Sequence, residues 1–317
     1  MKRAVRTAMD RLASASGLLA LLEKRARGTL TILTYHRVLA DERCVGYPFP
    51  SLAMPLSLFA GQVAWLAPRA TLVTIAEGLR RLDDPPTTHP LVAISFDDGY
   101  ADNHALAAPL LRRFGARATF FIVAGLVGTD EELWYDTAAR RHTAARHSGA
   151  DVPASLRDWM AQLKSAEPAA RARLIEALPD PPSPRDPLDR VMTPVELTEL
   201  ATQGHEIASH TLTHPILPQL GDADLERELR ESRRRLETIV DAPVTGFCYP
   251  NGDHDDRVVL ACRNAGYSYA ATTLPGRNRS GIDPFRLSRL DMNPSRFEGD
   301  SILSLRAELS LLRGAFR

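Results

Sequence analysis

Short apolar, β-branched runs recur along this chain, and several break off at a side chain able to do chemistry. Leu30-Thr31-Ile32-Leu33-Thr34-Tyr35 stops at His36, Leu91-Val92-Ala93-Ile94-Ser95-Phe96 at Asp97-Asp98-Gly99, and Glu206-Ile207-Ala208-Ser209 at His210. Runs this short, bounded by turn residues, read as buried strands. Ala118-Thr119-Phe120-Phe121-Ile122-Val123 and Gly246-Phe247-Cys248-Tyr249 have the same character. Helical stretches lie between them. One ends at Phe114-Gly115, where glycine suits a helix C-terminus; another, Asp222 to Val240, spaces Leu225, Leu229 and Leu236 among charged residues. Alternating strands and helices predict a parallel α/β sheet or barrel, in which catalytic groups collect at the carboxyl ends of the strands.

The 317 residues are 44% hydrophobic and 25% charged, the balance of an ordinary globular protein. Basic and acidic side chains number 39 each, so net charge gives no reason to expect nucleic acid or an anionic surface as the main partner. Cys44, Cys248 and Cys262 show no CxxC spacing, which fits neither a disulfide framework nor a thiolate zinc site and favours a reducing compartment. Residues 1–28 read as a basic helix carrying Lys2, Arg3, Arg6 and Arg11, with Leu18-Leu19-Ala20-Leu21-Leu22 too short to span a bilayer and no small-residue cleavage site behind it. A cytoplasmic location is the expectation, and the basic helix permits peripheral contact with the inner membrane face. One barrel domain is expected over 29–317, with a helical insertion at about 129–190 that contains Trp134-Tyr135-Asp136 and closes in a proline-rich loop from Pro179 to Pro187.

Ser95-Phe96-Asp97-Asp98-Gly99-Tyr100 sets two adjacent carboxylates at the end of an apolar strand. Buried carboxylates are unfavourable by several kcal/mol unless a cation or hydrogen bonds compensate them. Ser209-His210-Thr211-Leu212-Thr213-His214-Pro215 supplies two imidazoles four residues apart. On one face of a helical turn both could reach a single cation. With one carboxylate they make a two-nitrogen, one-oxygen, open metal site.

Ser-Phe-Asp-Asp-Gly followed a little over a hundred residues later by Ser-His-Thr-Leu-Thr-His-Pro resembles the polysaccharide deacetylase family, the NodB-homology carbohydrate esterases. The likeness runs roughly from Thr29 to Met292. It implies a distorted (β/α) barrel of the deacetylase type and hydrolysis of an acetamide on an amino sugar within a polysaccharide, oligosaccharide or lipid-linked glycan. Position by position it implies Asp98, His210 and His214 as ligands of a divalent cation, zinc foremost, and Asp97 as general base. The residues by themselves leave the two aspartates interchangeable.

Two departures from the family pattern bear on the chemistry. Phe247-Cys248-Tyr249-Pro250-Asn251-Gly252 stands where the family offers Arg-Pro-Pro-Tyr, so Cys248 replaces the arginine that orients the base. The loop can still turn the backbone N–H of Asn251 toward an oxyanion. Arg286 and Arg289 are the replacement candidates, with Arg289 preferred because it adjoins the strand-like Leu290-Asp291-Met292. No histidine follows His254, so the late acid histidine is missing as well. His36, in Tyr35-His36, is similar in place to the acid of the subgroup that sets this group at the front of the barrel, and an imidazolium can protonate a leaving amine. His205 precedes its strand and reads as structural or as support for the site. Other readings keep the fold and change the role, either to a deformylase or amidase with the same metal site or to a carbohydrate-binding protein without catalysis.

Overall fold

The computed structural model describes residues 28–297 apart from 86–87, 151 and 182–184, so the helix expected at the N-terminus and part of the proline-rich loop lie outside the described residues. The strands are β1 (Leu30–Tyr35), β2 (Arg37–Leu39), β3 (Ala53–Pro55), β4 (Thr71–Val73), β5 (Leu91–Phe96), β6 (Ala118–Ile122), β7 (Glu206–Ser209), β8 (Gly246–Cys248), β9 (Tyr269–Ala271) and β10 (Leu290–Asp291). The main helices are α1 (Leu56–Leu66), α2 (Ile75–Arg80), α3 (Ala108–Arg113), α4 (Trp134–Ser148), α5 (Leu156–Ser165), α6 (Pro168–Glu176), α7 (Pro194–Thr202), α8 (Asp222–Val240) and α9 (Asp256–Asn264). Helix α8 keeps the bounds its leucine spacing predicts. The expected insertion contains α4, α5 and α6.

The principal sheet is wholly parallel, in the order β10-β1-β5-β6-β7-β8-β9, with β4 lying along the first half of β5. Leu287 N–H donates to the Ala270 carbonyl beside β9, and three residues later Leu290 pairs with Leu33 of β1. This stretch thus joins the two edges and curls the sheet round, giving the distorted (β/α) barrel expected from the strand-helix alternation.

Strand side chains alternate between two apolar sets, as a pleated backbone requires. Ile94, Phe96, Phe120 and Ile122 pack in the larger core with helix residues such as Val63, Leu111 and Leu229. Ile32, Ala93, Phe121, Ala208, Cys248 and Ala271 form the second, which α2 closes at the amino ends of the strands. There the N–H groups of Ile75 and Ala76 donate to Thr119 Oγ1 and Glu206 Oε2. Small residues in this second set matter for the site, because they leave room for one long cation. Among the described residues, no helix is long and apolar enough to cross a membrane.

His205 belongs to this scaffold. Its Nδ1 accepts the Ala118 N–H at 3.1 Å, and its ring meets Phe120 edge-on. Burial, then Arg117, lowers its pKa to about 4 from the ordinary 6.5. Between those values the unfolded chain binds a proton that the folded chain refuses, so stability is complete above pH 6.5 and falls as pH drops toward 4. His205→Asn, which keeps an acceptor for Ala118, is expected to flatten this acid loss in thermal melts across that range. An unchanged acid slope in the variant would count against the assignment.

Candidate active site

The carboxyl ends of β1, β5, β7 and β8 deliver His36, Asp97, Asp98, His210, Tyr249 and Asn251 to one cleft of about 570 Å³. Strand register explains the meeting: β1 pairs with β5 residue for residue, from Leu30 opposite Leu91 to Tyr35 opposite Phe96, so His36 and Asp97 leave the sheet side by side.

Asp98 is buried, and its Oδ1 lies 3.5 Å from Nε2 of His210 and 3.5 Å from Nε2 of His214. Zinc bonds of about 2.0–2.2 Å at tetrahedral angles place ligand atoms about 3.3–3.6 Å apart, so both spacings from Asp98 suit such an ion. His210 Nδ1 lies 2.8 Å from the Cys248 carbonyl, which holds that ring with Nε2 toward Asp98. Burial, then the neighbouring His210, lowers His214 to about 3, so its imidazole stands neutral with a lone pair free. Asp97, His210 and Cys248 also cluster, but Asp97 is already held by a guanidinium, whose charge disfavours a cation there.

The two histidines do not share a helical turn, contrary to the expectation from their spacing. The segment is an irregular loop in which Thr211 (φ 71°) and His214 (φ 59°) adopt left-handed backbone, as does Asp98 (φ 73°). Side chains bearing a Cβ seldom accept this conformation, and such positions persist only where the surroundings over-determine them. Three sets of contacts do so for the loop that carries His214. Ala124 and Gly125 donate N–H groups to the carbonyls of Thr211 and Leu212, and a Cβ on Gly125 would stand 2.3 Å from the Leu212 oxygen. Trp134 Nε1–H donates to the His214 carbonyl at 3.1 Å. Glu228 of α8, buried, accepts from Leu212 N–H, Thr213 N–H and Thr213 Oγ1 at 2.8, 2.9 and 2.7 Å.

Glu228 is the supporting residue that reasoning from sequence misses. Its signal is present all the same: a carboxylate three residues after Leu225 and one before Leu229 occupies the apolar face of α8. Glu228→Ala would leave two backbone N–H groups and a hydroxyl without their acceptor. With hydrogen bonds to charged groups worth about 1.5–3 kcal/mol each, the loss in denaturant unfolding should be about 3 kcal/mol or more. A loss under about 1 kcal/mol, well below that range, would show that the loop holds itself.

Asp97 is clamped by Arg289, with Nη1 to Oδ1 at 2.7 Å and Nη2 to Oδ2 at 2.8 Å. Arg289 is itself buried, donates Nε–H to the Thr272 carbonyl at 2.7 Å, and passes over Phe121. Burial alone would raise the Asp97 carboxyl, but Arg289 overrides it and holds the group far below the usual carboxylate range. Cys248 fills the space beside the pair, its sulfur 3.1 Å from Arg289 Nη2, and burial pushes its thiol well up, so it stays neutral. Of the two candidate arginines, the structure brings Arg289 to the site and turns Arg286 toward Asp256 and Asp283.

His36 Nε2 lies 4.0 Å from Asp97 Oδ2, and its carbonyl is held by Asn103 Nδ2–H at 2.8 Å. Asn251 sits on the cleft in the Pro250–Gly252 turn with φ 55°, and its Oδ1 accepts from Lys164 of α5. Phe49, Leu156 and Met160 add apolar walls. Tyr135 of the insertion lines the cleft, whereas Trp134 lies behind His214. His254 stacks on Tyr249 just before α9, whose first turn Asp255 caps.

Residues 84–270 match the sequence profile described as polysaccharide deacetylase. The chain is 23% identical over 274 residues, 86% of its own length and 74% of the relative's, to YxkH of Bacillus subtilis (strain 168), a protein named among the polysaccharide deacetylases. Its fold is similar to that of the Streptococcus pyogenes deacetylase PplD in complex with acetate, with a TM-score of 0.59 and 18% identity across 84% of this chain and 94% of that one. IcaB from Ammonifex degensii is similar at a TM-score of 0.60 and 19% identity, across 89% of this chain and 97% of that one.

Proposed function

The chain belongs to the polysaccharide deacetylase family, and from that premise we propose that it is a metal-dependent hydrolase that removes acetyl groups from an N-acetylated amino sugar in a polysaccharide, oligosaccharide or lipid-linked glycan. The observation that carries this reading is the division of labour between adjacent carboxylates. Asp98 lies with two imidazoles at ligand spacing, while both oxygens of Asp97 accept from Arg289. Asp98, His210 and His214 would hold a divalent cation, and their nitrogen-rich set suits zinc. Such an ion, when bound, polarises an amide carbonyl and makes a water more acidic.

Asp97 takes the proton of the attacking water. Arg289 keeps it ionised before the transfer and fixes its direction. Attack on the acetyl carbon pushes negative charge onto the acyl oxygen, where the backbone N–H of Asn251 is the assigned donor. His36, in the cleft beside Asp97, donates the proton that lets the amine leave, and acetate and the free amino sugar result. Phe49 and Tyr135 offer the apolar faces on which sugar rings stack.

Acetate release from N-acetylglucosamine oligomers and related acetylated glycans tests the proposal. Activity should vanish on chelation and return when zinc or another divalent ion is restored. Release that persists after complete metal removal would overturn it.

A further inference from the structure

The chain that leaves β5 with Asp97 and Asp98 carries two more polar residues a turn later. Asp102 and Asn103 are both fully buried, and a single π-helical turn, Asn103–Ala107, begins there and leads into α3. Such turns are rare and recur at functional sites. Asn103 Nδ2 donates one hydrogen to the His36 carbonyl at 2.8 Å and the other to Asp102 Oδ1 at 2.9 Å. Its Oδ1 is buried and meets no donor among the described residues, so this amide is used for its two N–H groups. Asp102 Oδ1 also accepts the Val38 N–H at 2.8 Å, and Asp102 Oδ2 accepts Arg37 Nε–H at 2.8 Å. On the other side of His36, the Asp97 N–H donates to the Tyr35 carbonyl at 3.0 Å. The segment after β5 thus grips the backbone before, at and beyond one imidazole.

We infer that Asn103, seated by Asp102, is a positioning residue for His36 and holds the proton donor against the base carried by the same segment. The inference rests on the reading of His36 as acid and Asp97 as base. His36 needs such a hold because it belongs to neither strand: β1 ends at Tyr35 and β2 begins at Arg37, in separate sheets. No ladder fixes its carbonyl, and the Asn103 side chain does so instead. Rotation of that peptide would swing the imidazole, whose Nε2 is 4.0 Å from Asp97 Oδ2, out of line with the leaving nitrogen. A misplacement of about 1 Å can lower a rate about 10²-fold even when the altered residue lies away from the chemistry.

Two substrates separate the positioning of an acid from plain support of the fold. An amide nitrogen must gain a proton to leave, whereas the phenolate of para-nitrophenyl acetate departs without one. Both cleavages call on Asp97, and only the first calls on His36. The experiment measures kcat of the zinc-loaded full chain on N-acetylglucosamine oligomers and on para-nitrophenyl acetate, with metal content and melting midpoint of each variant as controls. His36→Gln sets the reference and should lower the amide-to-ester ratio about 10²-fold or more. Asn103→Ala should lower that ratio about tenfold or more. Added to His36→Gln it should lower the ratio little further, because both changes act through one imidazole. If Asn103→Ala does not fold, Asn103→Leu, close to asparagine in shape but without donors, takes its place. Equal losses on the two substrates, or a wild-type ratio in a folded, metal-loaded Asn103 variant, overturn the inference alone. A wild-type ratio in His36→Gln overturns the acid assignment and this inference with it. A wild type that releases no acetate from the oligomers overturns the proposed function and takes this inference with it.

Discussion

Asp97→Asn is expected to remain folded and metal-loaded while kcat for acetate release falls about 10³–10⁴-fold, near the upper end of what one general base contributes. The expectation follows from where Asp97 sits. It lies beside the ligands without being one, within 4.0 Å of His36, and both its oxygens are oriented by one guanidinium. A carboxamide keeps the shape and one oxygen for Arg289 but cannot accept a proton at neutral pH. Binding of the cation should survive, because Asp98, His210 and His214 are untouched. Single-turnover acetate release and metal content measured on the same preparation check both halves. Turnover near wild type would pass the role of base to another group, and loss of the metal would make Asp97 a ligand.

Replacing Arg289 by methionine should harm both stability and rate. Breaking a buried pair leaves the other charge uncompensated, which is unfavourable by about 3–5 kcal/mol. The kinetic consequence has a definite sign. With Arg289 present, the Asp97 carboxyl is held well below the usual carboxylate range, so the base is ionised throughout ordinary pH. Without it, burial acts unopposed and raises that pKa. The acid limb of kcat/KM should therefore move to higher pH, with activity lost as pH falls through the raised value, and kcat should drop even on the plateau because the carboxylate is no longer aimed. Arg289→Lys restores charge without the two parallel hydrogen bonds and should recover the pH profile better than the rate. An acid limb that stays in place would mean that Arg289 does not govern the ionisation of Asp97.

Much of this arrangement is legible without coordinates. The strands that end at His36, Asp97 and His210 are written as continuous apolar runs because both faces of a parallel sheet are covered. Helix α8 is written in leucine spacing and runs over the residues that spacing predicts. Arg289 can be preferred over Arg286 from its place beside a strand, since a side chain next to β10 has a direct line into the barrel. The expectation of a helical turn for His210 and His214 fails for a physical reason. Spacing reports how far apart two residues are along the chain, and left-handed residues at Thr211 and His214 reach the same convergence by another path. Trp134, legible only as part of the helical insertion, sets its N–H on the His214 carbonyl, a contact that position along the chain does not announce.

The order of residues determined by itself which chemical groups exist and at which strand ends they stand: an acceptor pair at Asp97-Asp98, two imidazoles after β7, one after β1, and a spare cation near the C-terminus. Only the tertiary structure decided which partner each carboxylate meets. Hydrophobic pattern specifies faces and elements locally, whereas the role of a carboxylate depends on which charge lies within about 3 Å of it, and that partner can come from anywhere in the chain. Asp97 and Asp98 are neighbours in sequence, yet the curl of the sheet sets Arg289 against one and His210 and His214 against the other.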